Sequence, residues 1–78
     1  MVSEPTIPEM TLGVRLFMAR KKAGLEQAQL AAIVGVSRPL VSMWERDKRP
    51  GPRISQLETW AEATSTPLEW LLGLVNAS

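Results

Sequence analysis

The chain has 78 residues, 45% of them apolar, which makes one small globular domain rather than a disordered or multidomain protein. It has no cysteine and no histidine, so disulfides, thiolate metal sites and the commonest general base are excluded. The net charge of only +1 does not by itself point to a nucleic acid or to any other charged partner.

Residues 1–10 carry Pro5 and Pro8, which fix φ and remove backbone donors, and they read as a flexible extended tail. This stretch has no apolar core of the signal-peptide kind, and no run in the chain nears the roughly 20 apolar residues that span a bilayer. A cytoplasmic location is therefore the expectation.

Thr11 caps a first helix predicted to reach Ala23, with Gly24 as its stop. Leu12, Leu16, Ala19 and Ala23 form its buried stripe at steps of four, three and four, which leaves Arg15, Lys21 and Lys22 in water. Arg20 borders the stripe, and any burial there requires a carboxylate partner. A second helix is predicted over 27–34, with Leu30, Ala31 and Val34 on one face. Gly35 ends it, Val36 turns inward, and Ser37 caps a third helix over 38–46. Val41 and Trp44, three apart, give this third helix one apolar stripe. Pro39 sits in the first turn, where backbone N–H groups have no intrahelical acceptor anyway. Asp47 falls at the left-handed position that ends the helix, at a modest cost relative to Gly.

Pro50, Gly51 and Pro52 make residues 48–53 a loop. A fourth helix over 54–64 buries Leu57, Trp60, Ala61 and Thr64. Thr66-Pro67-Leu68-Glu69 reads as a capping box with Pro67 at the first helical position. It opens a short fifth helix through Leu68, Leu71 and Leu72 to Gly73. Trp70 falls off that stripe and, with Leu74 and Val75, forms a candidate exposed patch of the kind that marks interfaces. Residues 76–78 are a C-terminal tail.

Charge is unevenly placed along this chain. Between Arg38 and Arg53 five cations stand against Glu45 and Asp47, whereas beyond Arg53 only Glu58, Glu62 and Glu69 occur. The basic middle suits phosphates. Lys48, Arg49 and Arg53 lie on the loop after the third helix and are candidate phosphate contacts. The third helix is held by Val41 and Trp44, and its other face shows Arg38, Pro39, Ser42, Met43 and Arg46. A rigid helix of this kind suits insertion into a DNA groove.

From Gly13 to Gly73 the chain resembles the Cro/cI-type helix-turn-helix domain, the XRE or lambda-repressor-like family. The matching pattern is Leu12-Gly13, Leu16, Arg20, Gly24-Leu25, Gln27, Leu30-Ala31, Gly35-Val36-Ser37, Val41, Trp44-Glu45, Pro52, Leu57, Trp60-Ala61 and Leu71-Leu72. The resemblance implies an all-α, five-helix domain over residues 11–75 that binds operator DNA, usually as a two-fold homodimer. It assigns Arg38, Pro39, Ser42 and Met43 to base edges and Arg20 with Glu45 to a buried ion pair. Gln27 matches a glutamine that contacts backbone phosphate and braces the third helix. Ser37 and Arg46 join Gln27, Lys48, Arg49 and Arg53 as backbone contacts.

The chain departs from the family pattern at Glu26, where a Ser, Thr or Asn cap is usual, and at Asp47, where Gly is common. Thr64 and Thr66 replace apolar residues, which predicts a looser link between the last two helices, and Ile33 is apolar where a polar residue is usual. With no further domain expected after Gly73, the reading is a minimal Cro-like or immunity-type repressor of phage or prokaryotic origin. The rival reading is an antitoxin or protein-interaction adaptor that uses Ile33, Trp70 and Val75 to hold a protein partner. No cofactor, metal or catalytic residue is assigned, because the sequence offers no histidine, no cysteine, no phosphate-cradling glycine loop and no paired carboxylates at a plausible site.

Overall fold

Five helices carry the chain in the computed structural model, which describes residues 10–75. They are α1 (Leu12–Lys22), α2 (Gln27–Val34), α3 (Arg38–Glu45), α4 (Ile54–Thr64) and α5 (Leu68–Leu71), with no strand among the described residues. The tails expected over 1–10 and 76–78 lie outside the described residues, except for exposed Met10. Ala23 and Arg46, predicted as last helical residues, are instead the C-caps of α1 and α3.

The helix starts follow local chemistry. Thr11 Oγ1 accepts from the Val14 N–H and Ser37 Oγ from the Leu40 N–H, each at 3.3 Å. α2 and α4 lack such a cap, and a glutamine in the first turn replaces it. Gln29 Oε1 accepts from the Glu26 N–H and Gln56 Oε1 from the Arg53 N–H, each at 2.8 Å. Glu26 therefore begins a braced helix even though its own residue type is unusual there.

The helix ends share one device. The N–H groups of Leu25, Val36, Lys48, Thr66 and Leu74 each return to a carbonyl five residues earlier, which requires a left-handed residue just before them. Gly35 supplies it between α2 and α3, at φ 87°. Asp47 and Ser65 supply it at φ 59° and 54° despite their side chains, at a cost of about 1 kcal/mol each.

The five largest fully buried side chains are Trp60, Leu16, Leu30, Leu71 and Val41, one from each helix. Trp44 packs on Trp60 with ring centroids 6.4 Å apart, tilted by 53°. Both indole N–H groups are satisfied: Trp60 Nε1 donates to Leu16 O at 3.2 Å and Trp44 Nε1 to Pro50 O at 3.1 Å. The second bond ties the loop after α3 to the core.

Four expectations are corrected here. Ala23 is exposed, because it lies in the capping turn where α1 has already left its stripe. The capping box at Thr66 does not form; Pro67 is the N-cap residue of α5. Thr66 is buried and donates to Thr64 O at 3.3 Å, while Thr64 Oγ1 lies 2.8 Å from Trp60 O and 2.9 Å from Thr66 Oγ1. The two hydroxyls satisfy each other inside the α4–α5 turn, so this link is hydrogen-bonded rather than loose.

Arg15 is the fourth correction, for it is only 7% exposed. Its Nη1 donates to Trp70 O at 2.9 Å, and its guanidinium lies 4.9 Å from the centroid of the Trp70 ring. Its Nε is buried without a partner. Arg15 borders the apolar stripe of α1, and α5 brings Trp70 against it, so the cation is covered by an aromatic face instead of by a carboxylate. Arg15→Ala is expected to cost about 2 kcal/mol, the range of a desolvated cation–π contact. The loss should appear in amide hydrogen exchange first at Leu71 to Leu74, whereas uniform acceleration across all five helices would contradict this local role.

Candidate nucleic-acid interface

α2 and α3 are joined by the short turn Gly35-Val36-Ser37. Val36 N donates to Ala31 O at 2.9 Å, and the Ser37 hydroxyl then caps the next helix, so local hydrogen bonds fix the turn between the two helices. Val41 and Trp44 fix the inner side of α3 in the core. Arg38, Pro39 and Arg46 are exposed on the other side, and Ser42 and Met43 are half-buried between them. The arc that the sequence predicts to face outward is thus one continuous surface. Arg46 Nε donates back to Ser42 O at 3.3 Å, which folds this side chain along the helix.

Behind that surface runs a hydrogen-bonded chain. Arg20 Nε donates to Glu45 Oε2 at 2.6 Å and Arg20 Nη2 to Glu45 Oε1 at 3.0 Å, a bidentate ion pair with both side chains at least nine-tenths buried. Arg20 Nη1 donates to Leu25 O at 2.9 Å, and the guanidinium lies 5.4 Å from the Phe17 ring centroid. The hydrogen bonds that Arg20 donates to Glu45 raise its pKa above the ordinary value and outweigh the burial that lowers it, so the charge persists. Gln27 Nε2 donates to Glu45 Oε1 at 3.1 Å, and Gln27 Oε1 accepts from Arg38 Nη1 at 3.0 Å. An outer arginine on α3 is therefore connected, through Gln27 and Glu45, to a buried arginine on α1.

Beside this chain lies a recess of about 280 Å³ lined by Arg20, Lys21, Glu26, Gln27, Ala28 and Arg38. Three of those six side chains are cations against one carboxylate. Lys48 and Arg49 are exposed in the loop, and exposed Arg53 is the N-cap of α4. Among the described residues Arg20–Glu45 is the only ion pair, and none of these three cations is paired within them.

The interface candidates at the C-terminal end are divided. The Trp70 ring is half-buried under Arg15, whereas Leu74 is 70% and Val75 52% exposed. Leu72, placed by the sequence on the inner stripe, is exposed as well, and so is Ile33 on α2. Sequence reasoning missed the Phe17–Arg20 contact, although the spacing of three on one helix was a usable signal. It also missed the bond from Gln27 to Arg38, which depends on how two helices cross and leaves no periodic trace.

Five helices, a tight turn between the second and third, and an outward third helix define a helix-turn-helix domain. The chain belongs to the Cro/cI-type helix-turn-helix family, whose model matches residues 16–71. Among solved structures it is similar to the DNA-binding domain of the P22 c2 repressor, determined by nuclear magnetic resonance in solution. That match has 30% sequence identity and a TM-score of 0.75, and it covers 92% of this chain and 96% of the other. No curated protein sequence matches significantly.

Proposed function

We propose that the protein is a sequence-specific transcriptional repressor that binds double-stranded DNA with α3 in the major groove. The observation that carries this reading is the outward arc of α3, with Arg38 held at its start by Gln27 and braced from the core through Glu45 and Arg20. Arg38, Pro39, Ser42 and Met43 face base edges. Arg38 supplies the hydrogen-bonding fork, and Pro39 and Met43 supply apolar contact to thymine methyl groups. Gln27, Ser37, Arg46, Lys48, Arg49 and Arg53 contact the phosphate backbone on either side, where they set register without reading sequence. The cationic recess at the start of α2 suits a phosphate oxygen in the same way. The similarity to a repressor's DNA-binding domain supports the same role.

Repression follows by occluding a promoter. A homodimer joined through the exposed Leu74 and Val75 and the half-buried Trp70 presents two copies of α3 to half-sites about one helical turn, roughly 34 Å, apart. No helix among the described residues is long and apolar enough to cross a membrane. The direct test is selection of bound duplexes from random DNA. A two-fold symmetric consensus is expected; recovery of no enriched sequence would overturn the proposal, and an asymmetric half-site alone would overturn its dimeric part.

A further inference from the structure

Asp47 does more than end α3. Its backbone closes that helix, with Asp47 N donating to Trp44 O at 3.1 Å and Lys48 N to Met43 O at 2.9 Å. Its side chain meanwhile reaches the start of α1, 34 residues earlier. Asp47 Oδ1 accepts from Gly13 N at 2.9 Å, and Asp47 Oδ2 accepts from the Thr11 hydroxyl. The fit is tight: a Cβ on Gly13 would lie 2.7 Å from Asp47 Oδ2 and 2.8 Å from Glu45 O. Room for the carboxylate exists only because residue 13 has no side chain.

The left-handed turn at φ 59° does not require a carboxylate, since glycine makes that turn without strain. What the carboxylate adds is the tie across to α1. Its negative charge also lies against the Gly13 N–H at a helix start, where the helix dipole favours it. It forms no ion pair with Lys48 or Arg49, the cations that follow it directly. The Lys48–Arg49 stretch is then held on both sides: at Asp47 by α1, and at Pro50 by the bond from the Trp44 indole.

We infer that Asp47 is a positioning residue for the basic loop, fixing Lys48 and Arg49 against the body of the domain so that both meet phosphates in one register. This rests on the DNA-binding reading above. It also reverses the simplest expectation for an acidic residue next to a phosphate-binding loop, which is that it repels DNA.

The test is the salt dependence of binding to the duplex recovered by selection, read beside a thermal melt. Each lost phosphate contact lowers the magnitude of the slope of log K against log salt by about 0.9. Asp47→Gly is expected to lower it by about 0.9 to 1.8 while the melting temperature stays close to that of the parent, because relieved backbone strain offsets the lost tie. Asp47→Asn keeps one acceptor oxygen for Gly13 and should retain more of the slope. Gly13→Ala displaces the Asp47 carboxylate and also presses on the Glu45 carbonyl of α3, so it should lose slope at least as far as Asp47→Gly does and lower the melting temperature as well. A slope for Asp47→Gly equal to that of the parent overturns the inference, whatever the melting temperature. Failure of the parent protein itself to bind any duplex overturns the functional reading instead, and needs no variant to detect.

Discussion

Glu45→Ala is expected to destabilise the domain by about 3–5 kcal/mol, the range for removing one partner of a buried ion pair. Three donors lose their acceptor together: Arg20 Nε, Arg20 Nη2 and Gln27 Nε2. Arg20 cannot escape by shedding its proton, because a guanidinium stays charged at any workable pH. A domain of this length has a total stability of roughly 4–12 kcal/mol, so the loss is a large share of the whole. Urea denaturation should show a lower midpoint with an unchanged slope. The paired replacement Arg20→Met with Glu45→Leu should recover most of the deficit, since it removes both charges and fills similar volume. If the double variant is as unstable as Glu45→Ala, the cost does not come from an abandoned buried charge.

That ion pair also shows what a sequence can and cannot disclose. The helix positions were legible because their signals are local: apolar residues at steps of three and four, Thr11 and Ser37 at two starts, glycines at three ends. The need of Arg20 for a carboxylate was legible too, from its place beside the stripe of α1. Which carboxylate answers it was not, because Glu45 lies 25 residues away and only the family resemblance names it. Arg15 was misplaced for a related reason. It is three residues from Leu12 and four from Ala19, so periodicity puts it inside, but the rule that lone cations stay in water outweighed the geometry. The docking of α5, which supplies the Trp70 ring and carbonyl 55 residues on, decided the matter. At Thr66 a capping motif and a buried hydroxyl pair share the same local residues, so the sequence does not tell the two apart. The second role of Asp47 depends on the absence of a side chain at Gly13, which no local pattern records.

Arg38→Ala is expected to weaken binding to the selected duplex by about 1–3 kcal/mol, roughly 5- to 150-fold, while binding to a random duplex falls far less. The asymmetry follows from the two kinds of contact. A base-edge fork is worth its full amount only on the right base pair, whereas a phosphate contact is worth the same on every sequence. The Gln27 bond uses a single N–H of the guanidinium and leaves other donors of the fork available for guanine O6 and N7. It also holds the side chain before DNA arrives, which avoids part of the ordering cost of about 0.5–1.5 kcal/mol for a long side chain. Gln27→Ala should therefore weaken the selected duplex too, and should weaken it less when Arg38 is already alanine. Gel shifts with the four proteins on both duplexes measure this coupling. Equal losses on the two duplexes for Arg38→Ala, with a salt slope smaller by about 0.9, would place Arg38 on a phosphate and leave base reading to Ser42, Pro39 and Met43.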